Sequence, residues 1–503
     1  SSHFGLTPPL PSTAARAPPL RPGPAMREME RADPAAAEEE AARRRQVRNT
    51  MIAAASNLST AYNLVNINLA HVEMENQYCH GDECRAAVTT VSTACLVGAI
   101  AGQLTFGYVG DCVGRAKALH LTMILSICGA LASAFAVPLD SSNPSSVFVF
   151  VSIARFVLGV GVGGVYPLSA TIAAESSSAA SRGRSVSLVF SMQGVGQLLV
   201  PLVGLVFLYG FGTADARSDN NKGLVGVSWR LILGIGALPG LILMPLKMAS
   251  GGPGASPAAS PRQSQLTLRQ ALGRRANWPK LIGCAGGWFL FDITFYGNTL
   301  FAPTVLKSVF HQGSEATPTI GPTLSGNLCL QLAILALIGL PGYYISVCFM
   351  DSVGRKRIQL QGFLLMALLY FVLGIFLDSM KDDAVVLLLV YGLTYFFSNF
   401  GPNSTTFILP SETFPYEVRS SLNGLCAATG KLGAVVGSAG FKPVVHAAGT
   451  NVAFYICAAC ALVGAFVTVF FVEDRRNLDI AETSFVEADC QRAAGPGAGR
   501  PSY

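Results

Sequence analysis

Long apolar runs recur along the chain from Met51 onward, separated by polar or basic connections. Each run is close to the roughly 20 residues that a helix needs to cross a bilayer. The pattern therefore predicts an all-α polytopic membrane protein with about twelve transmembrane helices. We place the helices at 51–72, 86–109, 119–138, 147–174, 186–210, 225–248, 279–303, 328–350, 359–378, 384–409, 422–446 and 451–472.

The basic residues of the connections indicate how the helices are oriented. Lysine and arginine fall in alternate connections, for example at Arg115, Arg182 and Arg355, and in both tails. Cytoplasmic segments of membrane proteins carry the excess of these residues. We therefore predict that both termini are cytoplasmic, and we expect the plasma membrane as the location.

Composition agrees with a membrane protein. Of the 503 residues, 51% are hydrophobic and only 13% are charged, whereas soluble proteins are about 25% charged. We expect the lipid bilayer as a partner and no nucleic acid.

Two segments lie outside the apolar runs. Residues 1–47 are rich in Pro and Ala and then in charge, which predicts a disordered cytoplasmic tail with one candidate helix between Ala35 and Arg48. Residues 249–278 predict a cytoplasmic central loop with a short helix against the membrane face. The predicted domains are the tail 1–47, an N-terminal six-helix bundle 48–248, the central loop 249–278, a C-terminal six-helix bundle 279–474 and a cytoplasmic tail 475–503.

Short charged motifs occur twice and indicate a duplication. GDCVGR at 110–115 follows the second run, MDSVGR at 350–355 follows the eighth, and the spacing of Glu175 to Arg182 recurs in the second half. Parallel six-helix repeats that hold substrate between them near the midplane are typical of major facilitator transporters. We interpret the repeated charges as ion pairs of a cytoplasmic gate. The gate residues are Asp111, Arg115, Glu175, Arg182, Asp351, Arg355, Glu412 and Arg419.

Cysteine and catalytic chemistry contribute little to the prediction. Only Cys79 and Cys84 fall in a predicted exoplasmic loop, where a disulfide could form. With His80 and Asp82 they could instead bind a metal, but a solvated loop or a disulfide is favoured. Since no nucleophile–base pair or metal cluster falls in a predicted span, we expect neither an enzyme nor a bound metal or cofactor.

Two ionisable residues, Asp292 and Lys431, fall in the middle of second-half runs. Charged groups inside a membrane are costly and mark functional sites. Each would destabilise the protein alone, so we predict that they face a shared wet cavity and pair with each other. A purely structural pair is the alternative.

Around these residues the chain resembles the phosphate:proton symporter family of the major facilitator superfamily. The glycine-rich stretch from Gly159 to Glu175 resembles the signature of that family's fourth helix, and closely spaced glycines let helices approach in a bilayer. Trp288, Asp292 and Tyr296 resemble its seventh helix and lie one helical turn apart. The resemblance extends from Thr50 to about Arg476 and includes Gln193-Gly194-x-Gly196, Asn399–Phe407, Pro410–Pro415 and Lys431.

The resemblance implies a phosphate cradle near the midplane. A tetrahedral oxyanion accepts several hydrogen bonds, which hydroxyl, amide and indole donors supply together with one ammonium. Asp292 would repel phosphate unless it is protonated, so the resemblance implies that Asp292 couples phosphate to a proton. The implied cradle residues are Tyr166, Gln193, Trp288, Tyr296, Asn403 and Lys431.

The chain departs from the family pattern at three carboxylates. The first-helix pattern Asp-x-Tyr-Asp appears as Thr60-Ala-Tyr62-Asn63, and Val165 replaces an aspartate in the fourth helix. We expect a secondary active transporter of inorganic phosphate that works by alternating access with a proton. The alternatives are a carrier of an organic phosphate or another oxyanion with sodium or no coupling, and a transporter-like phosphate sensor.

Overall fold

The computed structural model describes residues 34–78, 83–140, 143–210, 222–249, 267–310, 324–380 and 383–473. In these ranges the chain is almost wholly helical, and its only strand-like pairing is an isolated bridge between Asp140 and Asn143. The predictions for residues 1–33, for Cys79 with the side chain of Cys84, and for the tail 475–503 lie outside the described residues.

The described residues form seventeen α-helices, which we number in chain order. They are α1 (Pro34–Val65), α2 (Ile67–Tyr78), α3 (Glu83–Val113), α4 (Arg115–Ala134), α5 (Val147–Glu175), α6 (Arg182–Gly210), α7 (Lys222–Ile235), α8 (Leu238–Ala249), α9 (Leu268–Gly273), α10 (Trp278–Leu281), α11 (Gly287–Phe310), α12 (Leu324–Val353), α13 (Arg355–Met380), α14 (Ala384–Asn399), α15 (Pro402–Thr413), α16 (Arg419–Ala448) and α17 (Thr450–Phe471).

Each predicted apolar run coincides with one helix or with two consecutive helices. Breaks divide the first run into α1 and α2, the sixth into α7 and α8, and the tenth into α14 and α15. In the seventh run, α10 continues into α11 through a π-helical segment, Ile282–Gly286. Within the described residues, nine helices are long and apolar enough to cross a membrane. The first, seventh and eleventh runs are also helical, and these three carry buried polar side chains such as Asn63, Asp292 and Lys431.

The polar segments contain two of the helices. The helix α1 begins at Pro34 and includes the candidate helix Ala35–Arg48. In the central loop, α9 is the short helix expected there. Its N-terminus is stabilised by a capping box, in which Thr267 and Gln270 each accept a hydrogen bond from the other's backbone N–H.

Glycines allow the closest helix contact of the first half. A side chain at Gly159 or Gly163 of α5 would clash with the backbone carbonyl oxygen of Cys95 or Ala99 in α3. Small residues at such positions let backbones approach, and dispersion contacts then hold the helices together within a bilayer. This packing fixes α5, and with it Tyr166, against the rest of the N-terminal bundle.

The internal duplication is visible in the backbone. Gly114 and Gly354, the glycines of the two repeated motifs, have φ angles of 105° and 98°, a conformation that other residues adopt only with strain. The two halves meet where α3 packs on α16 and where α6 packs on α12. These are corresponding helix pairs of the repeat, so the same contact is built twice.

Candidate transport site

A cavity of about 460 Å³ lies between the two halves. Its first-half wall comes from α1, α2, α3, α5 and α6, and its second-half wall comes from α11 and α16. Asn68, His71 and Glu75 lie on one face of α2 and carry polar groups along the cavity toward the end of that helix at Tyr78. The predicted cradle residues Tyr166, Gln193 and Tyr296 also line it.

The structure brings Asp292 and Lys431 together beside this cavity. Lys431 Nζ donates hydrogen bonds to Asp292 Oδ2 at 2.9 Å and to the Tyr296 hydroxyl at 3.0 Å. Asp292 is 2% exposed and Lys431 is 3% exposed. They do not line the cavity themselves, so the pair lies buried behind the surface that Tyr296 presents.

Tyr166 joins the two halves at this point. Its hydroxyl donates to Gln193 Oε1 at 3.0 Å, and Lys431 Nζ lies 5.5 Å from the centroid of its ring. The same ammonium lies 4.6 Å from the ring centroid of Tyr296. Lys431 of the second half is therefore placed against aromatic faces of both halves, which stabilise a cation.

Trp288 and Asn403 lie on the far side of these groups. Trp288 packs on Gly430, the residue before Lys431, and its ring centroid is 6.5 Å from that of Phe407. Phe407 also contacts the Tyr166 ring, with centroids 6.0 Å apart. Asn403, one turn before Phe407, donates from Nδ2 to the Tyr343 hydroxyl at 2.9 Å. All six predicted cradle residues and Asp292 are thus close in space.

The charges of this cluster determine what it can bind. With Asp292 ionised, the carboxylate and the Lys431 ammonium cancel each other, and an anion must compete with Asp292 for Lys431. With Asp292 protonated, the ammonium is free to bind an anion. Hydroxyl, amide and indole groups around it add neutral hydrogen-bond donors.

Ion pairs close the end of the cavity region opposite α2. In the first motif, Arg115 lies 3.1 Å from Asp111 and 3.4 Å from Glu175, and it donates to the backbone oxygen of Tyr416 at 2.6 Å. Glu175 also pairs with Arg419 of the second half at 3.1 Å. This cluster therefore ties the halves together.

The second motif repeats the arrangement. Arg355 donates to both carboxylate oxygens of Glu412, at 2.8 and 2.6 Å, and lies 3.0 Å from Asp351. Arg182 is buried at the first residue of α6. Seven of the eight predicted gate residues therefore make the contacts of two corresponding clusters, and Arg182 directly precedes Gly183, whose backbone N–H donates to Asp351 of the second cluster.

The aspartate of each repeated motif, which lies in the last turn of α3 or α12, also binds a helix N-terminus of the other half. Asp111 accepts hydrogen bonds from the backbone N–H groups of Ser420 and Ser421 at 3.2 and 2.7 Å. Asp351 accepts from those of Gly183 and Arg184 at 3.0 and 2.8 Å. The first N–H groups of a helix have no partner within it, and its positive end attracts a carboxylate. Both contacts must break if this end opens.

Sequence reasoning missed several residues at the site. Tyr343 is buried between Asn403 and the Phe190 ring, whose centroid is 5.8 Å away. Tyr343 lies in the sequence PGYY at 341–344, but nothing in the local sequence distinguishes a tyrosine that binds substrate from one that packs in the core. The polar face of α2 could have been found from the sequence, because Asn68, His71 and Glu75 are three and four residues apart and therefore lie on one face of a helix.

Comparison with known proteins identifies the fold and the family. Residues 84–438 match the family described as Major Facilitator Superfamily. The structure superposes on the proton:xylose symporter XylE with a TM-score of 0.69 at 21% identity, over 88% of this chain and 98% of that one. The E. coli fucose:proton symporter FucP gives a TM-score of 0.62 at 13% identity, over 84% and 100%. The fold is that of a major facilitator transporter.

Comparison with sequence relatives identifies a narrower family within this superfamily. The chain is 32% identical to the probable inorganic phosphate transporter 1-9 of Arabidopsis thaliana, over 80% of this chain and 86% of that protein. It is 35% identical to the low affinity inorganic phosphate transporter 4 of Medicago truncatula, over 78% and 81%. The chain therefore belongs to the inorganic phosphate transporter family of the major facilitator superfamily. The predicted family and fold class are confirmed, as is the expectation of a transporter and not an enzyme.

Proposed function

We propose that this protein carries inorganic phosphate across a membrane by alternating access. The observation that carries the proposal is the buried Lys431 ammonium, which lies beside a cavity between the halves and is surrounded by neutral donors from both of them. The names of the relatives, inorganic phosphate transporters, support phosphate as the anion.

The cradle we propose consists of Tyr166, Gln193, Trp288, Tyr296, Asn403 and Lys431. Lys431 supplies charge, and the other five supply hydrogen bonds that a tetrahedral anion accepts. The tight packing around Phe407 supports a binding mode in which both halves close on the same anion.

The coupling ion we propose is a proton, carried by Asp292. The contact of 2.9 Å between Asp292 and Lys431 supports this role, because an ionised Asp292 neutralises the ammonium and repels a charged phosphate. Protonation of Asp292 releases Lys431 for phosphate. Loss of the proton lets Asp292 take Lys431 back and release the anion. The corresponding alternative is coupling to sodium.

The eight gate residues keep one end closed in this conformation, and we propose that this is the cytoplasmic end. The sorting of basic residues supports that orientation, with both termini in the cytoplasm and the plasma membrane as the location. Rocking of the halves would break the Asp111 and Asp351 contacts and open the cavity to the other side.

Uptake of labelled phosphate by vesicles containing the purified full chain tests the function. We expect uptake that saturates with phosphate, is accelerated by an inward proton gradient and does not depend on sodium. Phosphate binding without flux would identify a sensor, and preference for an organic phosphate would identify a different substrate. Flux that follows sodium and ignores pH would exclude proton coupling.

A further inference from the structure

Arg155 is a buried charge that the proposed mechanism does not use. It lies in α5 and is 1% exposed. Its guanidinium donates from Nη1 to the backbone oxygen of Asn63 at 2.7 Å and from Nη2 to Asn66 Oδ1 at 2.6 Å. Among the described residues, no carboxylate lies within ion-pairing distance of it.

This charge is permanent. An arginine side chain does not lose its proton in proteins, and burial of a charge without an opposite partner is costly. Asn63 lies in the last turn of α1, where the negative end of the helix dipole offsets part of that cost. The titratable groups that face Arg155, the phenol of Tyr62 and the thiol of Cys95, are ordinarily neutral at pH 7.

The charge lies close to the cavity. Leu64, Val65 and Ile67 line the cavity, and they belong to the same short segment whose Asn63 and Asn66 hold the guanidinium. Cys95 also lines the cavity and its thiol faces Arg155, so the guanidinium lies within about one helix diameter of the cavity wall. In a protein interior, where screening is weak, a charge acts over that distance.

We propose that Arg155 is a specificity-determining residue that attracts the anionic substrate from the first half without contacting it. The proposal rests on the proposed binding of phosphate. Asp292 and Lys431 cancel each other when both are ionised, which leaves Arg155 as a positive charge near the cavity with no carboxylate within ion-pairing distance among the described residues. The carboxylate on the cavity lining, Glu75, lies more than two helical turns along α2 from Asn66. Phosphate is then attracted before Asp292 is protonated. The amides at positions 63 and 66 are essential to this effect, because a carboxylate there would neutralise the guanidinium.

Two substitutions of Asn66 separate charge from structure. Asn66→Asp places a carboxylate oxygen where Oδ1 now accepts from Arg155, so the hydrogen bond with Arg155 is kept and the charge is cancelled. Asn66→Ala removes that hydrogen bond and keeps the charge. Both variants lose the hydrogen bond that Asn66 Nδ2 donates to the backbone oxygen of Ile232 at 3.3 Å, so this loss does not distinguish them. We expect Asn66→Asp to be at least as stable as Asn66→Ala to thermal unfolding, yet to bind phosphate about tenfold more weakly than the wild type. Asn66→Ala should stay within about threefold of the wild-type affinity.

Equilibrium binding of labelled phosphate to the purified full chain measures these affinities, with thermal unfolding and size-exclusion chromatography as checks of folding. Unchanged affinity in folded Asn66→Asp, or an equal loss in both variants, overturns the proposal. If Asn66→Asp does not fold, the phosphate affinities of Arg155→Lys and Arg155→Gln test the proposal instead. Arg155→Lys should retain most of the affinity that Arg155→Gln loses. Equal losses of affinity in the two variants overturn the proposal. If the wild type itself binds no phosphate, it is the proposed function that fails.

Discussion

The two halves of the molecule hold their buried charges in different ways. In the second half, Lys431 is paired with Asp292 at 2.9 Å. In the first half, Arg155 is held by a backbone oxygen and an amide, with no carboxylate partner among the described residues. A carboxylate–ammonium pair can change its net charge by taking up a proton, whereas a guanidinium beside amides cannot.

The two gate clusters, in contrast to the buried charges, are alike in the two halves. Gly114 and Gly354 share a positive φ, and Asp111 and Asp351 each accept two backbone hydrogen bonds from the other half. The contacts of the two charged motifs are therefore alike in the two halves, whereas the buried charges at the centre differ. We infer that the second half carries the proton-dependent step and that the first half supplies a constant field.

The largest expected effect is that of Lys431→Ala. Loss of one member of a buried pair leaves Asp292 as an uncompensated negative charge that also repels phosphate, so uptake should fall by about thirtyfold or more. Uptake into vesicles, normalised to inserted protein, measures it. Lys356→Ala is the matched control, because Lys356 is a half-buried lysine that donates to the backbone oxygen of Val469 and pairs with no carboxylate among the described residues. Near wild-type transport by Lys431→Ala would show that the binding site is misassigned.

Asp292→Asn should separate binding from coupling. The amide resembles the protonated carboxyl group in shape and charge, so the variant should still bind phosphate and exchange it across the membrane. It should lose acceleration by an inward proton gradient. Exchange and gradient-driven accumulation are measured in the same vesicles. Full gradient-driven accumulation by Asp292→Asn would remove Asp292 from the coupling mechanism.

Neutralising the gate arginines should slow turnover more than it weakens phosphate binding, since the gates set the equilibrium between conformations. Arg355→Gln should have the larger effect, because it removes two hydrogen bonds to the carboxylate of Glu412, at 2.8 and 2.6 Å. In Arg115→Gln, Arg419 still pairs with Glu175. Exchange rate and equilibrium binding are compared for both variants. A large loss of binding with an unchanged exchange rate would contradict a gating role.

The smallest effect concerns the two contacts between the halves. Where α6 meets α12, the rings of Phe190 and Tyr343 pack together. Where α3 meets α16, the buried side-chain amides of Gln103 and Asn423 have no hydrogen-bond partner among the described residues. Replacing an unsatisfied buried group by an apolar one is neutral or stabilising. Gln103→Leu should therefore raise the unfolding temperature by a few degrees and slow turnover slightly. A lower unfolding temperature would show that Gln103 has a partner in the folded protein.

Much of the architecture was predictable from the sequence because it depends on local properties. The length of each apolar run sets the length of a spanning helix, so all twelve runs coincide with helices. The repeated motifs indicated both gate clusters before any contact was known. Asp292 and Lys431 stood out because a charge within a long apolar run is rare.

Other features were decided only by tertiary packing. The breaks within three of the runs, the place of Tyr343 beside Asn403, and the uncompensated charge of Arg155 depend on partners far away in the chain. Asn63 and Asn66 are separated from Arg155 by about ninety residues and meet it only because α5 packs beside α1 and α3. Sequence therefore determined which residues carry charge, and the tertiary structure decided which charges are neutralised, because neutralisation depends on distances of a few ångströms between helices.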